Sequence, residues 1–202
     1  MNKTQLFGKV LLVASALLMS THQSNAAGSS GYHGSIYWFT YYTGSGSASL
    51  TGSGGNWRGT WTAGITDALT GKGWWPGSVR NVGYNCGQLS GNWHLLALYG
   101  WAPYNTREWY ITDFGNNSGT SFGTINSDGG TYTVYRQIVS STFQQYKNDR
   151  TANRSIGVNY TITMANHKNK WTSLGWSWGT VRETVMASEA FGGPGVVNCT
   201  VW

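Results

Sequence analysis

The chain has 202 residues and a formal net charge of +6, with only 10% of its residues charged and its lysines and arginines scattered except around 147–154. So thin a charge density excludes a nucleic-acid-binding stripe as the default reading and leaves a solvated basic surface. Twenty-nine glycines, 12 tryptophans and 12 tyrosines against three prolines describe short strands, tight turns and more aromatic rings than a core of this size needs.

Residues 1–26 read as a secretory signal. Lys3 and Lys9 form a basic start, 10–19 is an apolar run, and Ser24-Asn25-Ala26 is a small-x-small cleavage site. The run is too short to span a bilayer, and no other apolar stretch approaches the needed length. The expected product is an exported, soluble protein, extracellular or periplasmic. Cleavage after Ala26 leaves 176 residues (27–202) as one domain, and losing the two signal lysines lowers the net charge to +4. Two cysteines in an exported chain suggest one disulfide, Cys86 to Cys199, with two unpaired buried thiols as the alternative.

After a Gly/Ser-rich start, 36–42 alternates as a first strand and 49–51 begins a second. Trp57 and Trp61 share one face of the next strand. Asp67 leads into Gly71-Lys72-Gly73-Trp74, and 80–86 and 93–101 are further strands. The segment 107–115 places Glu108, Tyr110 and Thr112 on one face and Trp109 and Ile111 on the other. A carboxylate at a strand centre among rings is expensive for a sheet to carry. Glu189 repeats the situation in the alternating segment 185–191. With only seven acids in the chain, we read the two as a catalytic pair.

A polar loop is expected over 115–123, then a hairpin turn at Ser127-Asp128-Gly129-Gly130 before the strand 131–135. Short strands follow at 143–147 and 158–163. Met164, His167, Trp171 and Leu174 step at helical spacing, and Gly175 supplies the terminating residue. His167 reads as a packed helix residue, because no second His, Cys or Asp has metal spacing near it; no metal and no cofactor are expected. The last strands are 182–191 and 196–202. More than ten short strands with one helix imply an all-β protein, a two-sheet antiparallel jelly roll. Its surplus rings point either to a sugar-gripping cleft or to an aromatic-rich core.

Ten short pieces, in order over most of 37–202, resemble glycoside hydrolase family 11, the jelly-roll xylanases. They include Gly52-Ser53-Gly54-Gly55-Asn56, Gly71-Lys72-Gly73-Trp74, Tyr84-Asn85, Leu98-Tyr99-Gly100-Trp101, Glu108-Trp109-Tyr110, Phe143-Gln144-Gln145-Tyr146 and Val185-Met186-Ala187-Ser188-Glu189. The resemblance implies a secreted monomeric endo-β-1,4-xylanase acting on polysaccharide with retention. Glu108 falls on its nucleophile, Glu189 on its acid/base, Asp67 on the neighbour of the acid/base, and Tyr99 and Tyr110 on its cleft tyrosines. Substrate contacts are expected from Tyr41, Trp101, Tyr84, Gln145 and Arg136. Sheet packing is the plain alternative for the tyrosines, and a surface turn for Asp67.

The departures are specific. Only 136–142 stand where the family usually has a long thumb hairpin, Glu183 replaces a cleft tyrosine, and Lys147 replaces a cleft tryptophan. Leu95 and Ala97 replace polar cleft residues. A short thumb implies an open groove, which would admit a decorated glycan, with Lys147 and Arg136 offering charge to glucuronic-type substituents. The alternatives are the same chemistry on another or decorated β-glycan, or a carbohydrate-binding relative with little turnover.

Overall fold

The computed structural model describes residues 26–202, so the signal reading of 1–26 lies essentially outside the described residues. Fourteen strands and one helix make up the described chain. They are β1 (Ala27–His33), β2 (Ile36–Gly44), β3 (Ala48–Thr51), β4 (Asn56–Trp61), β5 (Ile65–Trp74), β6 (Asn81–Gly91) and β7 (Leu95–Trp101). Then follow β8 (Arg107–Gly115), β9 (Thr120–Ser127), β10 (Gly130–Ile138), β11 (Gln144–Arg150), β12 (Tyr160–Thr163), α1 (Met164–Ser173), β13 (Thr184–Gly192) and β14 (Gly195–Val201).

Nine strands form one sheet in the order β1-β2-β5-β13-β7-β8-β11-β10-β9, and five form the other, β12-β6-β14-β4-β3. This is the expected two-sheet architecture, with one difference. β8 and β11 pair parallel, Glu108 opposite Gln145, whereas every other pairing is antiparallel. That single parallel pair puts Gln145 beside the Glu108 carboxylate.

The core lies between the sheets. Trp109 and Ile111 from β8 and Trp57 and Trp61 from β4 are buried there with Tyr84, Tyr132, Trp171 and Met186. Asp113 is buried among them and is fully served: Tyr84 and Tyr132 each donate a hydroxyl at 2.5 Å, and Arg154 Nε stands at 3.2 Å. A buried carboxylate holds its place only with partners of this kind. The Cys86–Cys199 disulfide joins directly opposite residues of β6 and β14, 113 positions apart in the chain.

Two edge strands were not expected. β1 carries small residues that let it lie close to β2: a Cβ on Gly28 would come within 2.5 Å of the Thr40 carbonyl oxygen. β9 occupies part of the expected polar loop, held by its pairing with β10 and by Phe122 and Ile125 against the core. Neither strand has the apolar alternation that marks a half-buried strand. The helix is as read, ending at Gly175 with φ 75°, and His167 is buried in it beside Asn148 at 2.8 Å.

Candidate active site

The outer face of the nine-stranded sheet carries a second apolar cluster, with Tyr37, Leu69, Leu95, Ala97, Tyr99, Tyr110, Val185 and Ala187 buried and Phe39, Tyr41 and Trp101 partly covered. Strand alternation puts these residues on the face opposite Trp109 and Ile111. Above part of this floor runs a groove of about 370 Å³. Tyr41, Asp67, Tyr99, Trp101 and Glu108 line it, together with Tyr37, Phe39, Tyr104, Asn105, Arg182 and Glu183, while Tyr110, Gln145 and Glu189 do not.

Glu108 is 1% exposed and fixed by two donors. Tyr99 donates its hydroxyl to Oε1 at 2.8 Å, and Gln145 donates Nε2 to Oε2 at 2.7 Å. The Trp101 indole donates to the Tyr99 hydroxyl at 2.9 Å, which orients that hydroxyl toward the carboxylate. Burial pushes the Glu108 carboxyl up to about 7, against the hydrogen bonds from Gln145 and Tyr99 that favour its ionised form. The Tyr110 hydroxyl lies near enough to favour ionisation of Glu108 but makes no well-formed hydrogen bond.

Asp67 follows the same logic. Burial raises its carboxyl to about 7 and the Glu108 charge adds to the rise, so the two carboxyl groups titrate as a linked pair. Asp67 lines the groove from β5 at 8% exposure, rather than standing in a surface turn. Glu189 lies on β13 opposite Leu69 and Leu95, on the same sheet face and 2% exposed. Tyr110 is held well above its usual range, by burial first and then by the charges of both Glu108 and Glu189. Lys147, lowered by burial, also feels both carboxylates. The two glutamates therefore belong to one electrostatic cluster.

Four buried polar atoms on this face have no hydrogen-bond partner among the described residues: Tyr41 Oη, Asp67 Oδ1, Tyr110 Oη and Gln145 Oε1. Burial, Asp67 and Glu108 together push the Tyr41 phenol up to about 12, so it stays protonated as a donor. Unpaired donors and acceptors over an aromatic floor match the demands of a sugar, which offers hydroxyls at its rim and apolar faces above and below.

Two expected substrate contacts are corrected. Tyr84 is 0% exposed in the core, bonded to Asp113. Arg136 pairs opposite Tyr146 on the core-facing side of β10, and its guanidinium lies over Phe122 and Trp176. Lys147 does sit on the groove face of β11, but it is 5% exposed and donates to Ser118 O at 3.2 Å and Gln137 Oε1 at 2.8 Å. Tyr37 and Phe39 were legible, since they share the strand parity of Tyr41. Tyr104, Asn105 and Arg182 come from loops, where periodicity gives no signal.

The Glycosyl hydrolases family 11 profile matches residues 33–200. The chain belongs to that family. An endo-1,4-beta-xylanase of Cellvibrio japonicus is 34% identical over 94% of this chain, which spans 58% of that relative's length. Endo-1,4-beta-xylanase 11A of Botryotinia fuckeliana is 32% identical over 88% of this chain and 82% of its own. A solved chain from a structural comparison of two major endo-1,4-beta-xylanases of Trichoderma reesei superposes with a TM-score of 0.69 at 32% identity, covering 81% of this chain and 96% of that one. The family's jelly roll accounts for the sheet pairings around Glu108, and its members' names share one substrate class.

Proposed function

We propose that this family 11 chain is an exported, retaining endo-β-1,4-xylanase that works by double displacement and calls for no metal or cofactor. The observation that carries the reading is Glu108 itself, a buried carboxylate at a groove, gripped at both oxygens by Tyr99 and Gln145. A nucleophile in this reaction must be ionised and aimed, and two donors fixed by neighbouring strands do both.

In the proposed cycle, Glu189 protonates the glycosidic oxygen as the ionised Glu108 attacks the anomeric carbon, giving a glycosyl ester on Glu108 and releasing the leaving chain. Glu189 then takes a proton from water, whose oxygen displaces Glu108 and restores the β-anomer. This requires the two carboxyl groups to stand roughly 5–5.5 Å apart across the bond. Asp67 and the Glu108 charge set which carboxyl holds the proton, because neighbouring negative groups cannot all ionise together. Tyr41 and Trp101, which line the groove, offer faces for sugar stacking.

The test is reducing-sugar release from a panel of soluble β-glycans. Xylan should be cleaved and Glu108→Gln should abolish turnover while keeping the fold. Equal or better hydrolysis of a different backbone, or xylan binding without turnover, would overturn the assignment.

A further inference from the structure

The groove wall nearest the β7–β8 loop holds a charged pair that the double displacement does not use. Arg182 and Glu183 immediately precede β13, with Arg182 Nε 3.4 Å from Glu183 Oε2 and side-chain exposures of 33% and 8%. The Arg182 guanidinium lies 3.8 Å from the Tyr104 ring centroid and 4.9 Å from that of Trp75. Its backbone is tied on both sides: Arg182 N donates to Trp101 O at 2.8 Å, and Gly77 N to Arg182 O at 2.8 Å. Two ring contacts and one carboxylate thus fix the guanidinium at the groove while a third of the side chain stays open. A fork held in this way loses little freedom when it meets a second carboxylate.

We propose that Arg182 reads an acidic substituent of the glycan, a uronic-type carboxylate carried by a sugar seated between Tyr99, Trp101 and Tyr104, with Glu183 releasing the guanidinium as the substituent arrives. The inference rests on the glycan-hydrolase reading of the groove and adds a substituent class to it. Arg136 and Lys147, the cations first expected in that role, are committed to the core and to Ser118 and Gln137.

Glu183 is suited to the exchange. Burial raises its carboxyl to about 7, Arg182 opposes the rise, and Glu108 adds to it. The groups facing it are Tyr37 from β2, Tyr99 from β7 and Glu108 from β8, and both tyrosines feel its charge. With its carboxyl raised to about 7 even beside Arg182, Glu183 is largely protonated at about pH 6, so an incoming carboxylate meets a guanidinium whose neighbour is already mostly neutral.

The experiment measures calorimetric binding to the full chain carrying Glu108→Gln. The ligands are a glucuronic-substituted xylo-oligosaccharide, its methyl ester and the unsubstituted oligosaccharide. At about pH 6 and low salt the acid should bind roughly fivefold more tightly than the ester, as a partly exposed ion pair allows, and the gap should close as salt rises. Arg182→Gln should erase the gap, and Glu183→Gln should keep it. Equal binding of acid and ester, or tighter binding of the ester, overturns the proposal, and the salt series decides it on the native Arg182 even where the Arg182 variant fails to fold. Wild-type turnover of plain xylan, run in parallel, separates the two readings. Turnover without acid preference overturns this proposal alone, whereas Arg182-dependent acid preference without turnover supports it and overturns the reaction.

Discussion

Tyr99 donates its hydroxyl to Glu108 at 2.8 Å while accepting the Trp101 indole proton at 2.9 Å, so one side chain couples the groove wall to the buried carboxylate. Tyr99→Phe removes both bonds and keeps the ring. The lost charge-assisted bond should lower kcat/KM by roughly tenfold or more. It also removes a group that favours the ionised form, so the Glu108 carboxyl should rise further and the acid limb of the pH–rate profile should move to higher pH. An unchanged limb in Tyr99→Phe would show that the bond does not set Glu108's titration.

Asp67 offers a choice of directions. The Glu108 charge helps to raise Asp67; such repulsion is mutual, and an Asn in place of Asp67 removes it. If the Glu108 coupling governs, the acid limb of Asp67→Asn should move to lower pH. A proton shared between Asp67 and Glu189 would instead move the optimum toward neutral pH. The first is expected, read from kcat/KM against pH, and an unchanged profile would refute both couplings.

Four carboxyl groups are raised by burial, Asp149 among them, and they have a consequence for stability. Asp67, Glu108 and Glu183 each titrate at about 7 when folded, against 3.8 to 4.5 ordinarily. Between those limits the folded chain binds more protons than the unfolded one, so stability falls as pH rises through that window. Calorimetric melting should give a higher Tm at about pH 5 than at about pH 8. Glu183→Gln should flatten the difference, and a Tm that rises with pH over this range would contradict the burial of these groups as ionisable carboxyls.

The Cys86–Cys199 bridge closes a loop of 113 positions. In the chain-entropy model such a bridge contributes about 4–5 kcal/mol, less whatever strain it carries. Replacing both cysteines with serine should lower Tm by roughly 10 °C in a domain of this size. A Tm within a degree or two of the wild type would mean that the unfolded chain gains no freedom from the cut.

Much of the fold and part of the site could be read before the structure, for physical reasons that differ by element. Glu108 and Tyr110 share one face of β8 opposite the buried Trp109 and Ile111, so alternation was enough to put them on the same side of the sheet, whereas Gln145 follows only from the family resemblance. The helix announced itself through the spacing of Met164, His167 and Trp171, all buried. β1 and β9 escaped because edge strands need apolar contact on neither face consistently. Tyr84 was misplaced because a family-like motif says nothing about which sheet face a residue occupies, and Arg136 because its charge alone says nothing about it either. Each proved to lie on the core side, where Asp113 and the Phe122–Trp176 rings receive them. Asp113 itself gave no signal, since a carboxylate satisfied by two tyrosines and an arginine depends on chain segments up to 41 positions apart. The connection between β10 and β11 is a tight turn closed by Val139 N donating to Phe143 O at 3.0 Å, and Phe143 stacks on Trp101 at 5.3 Å. So short a turn leaves little chain to overhang the groove.

The central claim is that Glu108 forms a covalent glycosyl intermediate. Incubating the protein with a deoxyfluoro xylobioside bearing a good leaving group, then mapping the label by peptide mass spectrometry, tests it most directly. A single glycosyl adduct is expected on the peptide containing Glu108, with turnover lost in step with labelling and no adduct in Glu108→Gln. A label on Glu189, Asp67 or Glu183 instead, or active enzyme that takes no label and releases the α-anomer first, would contradict it.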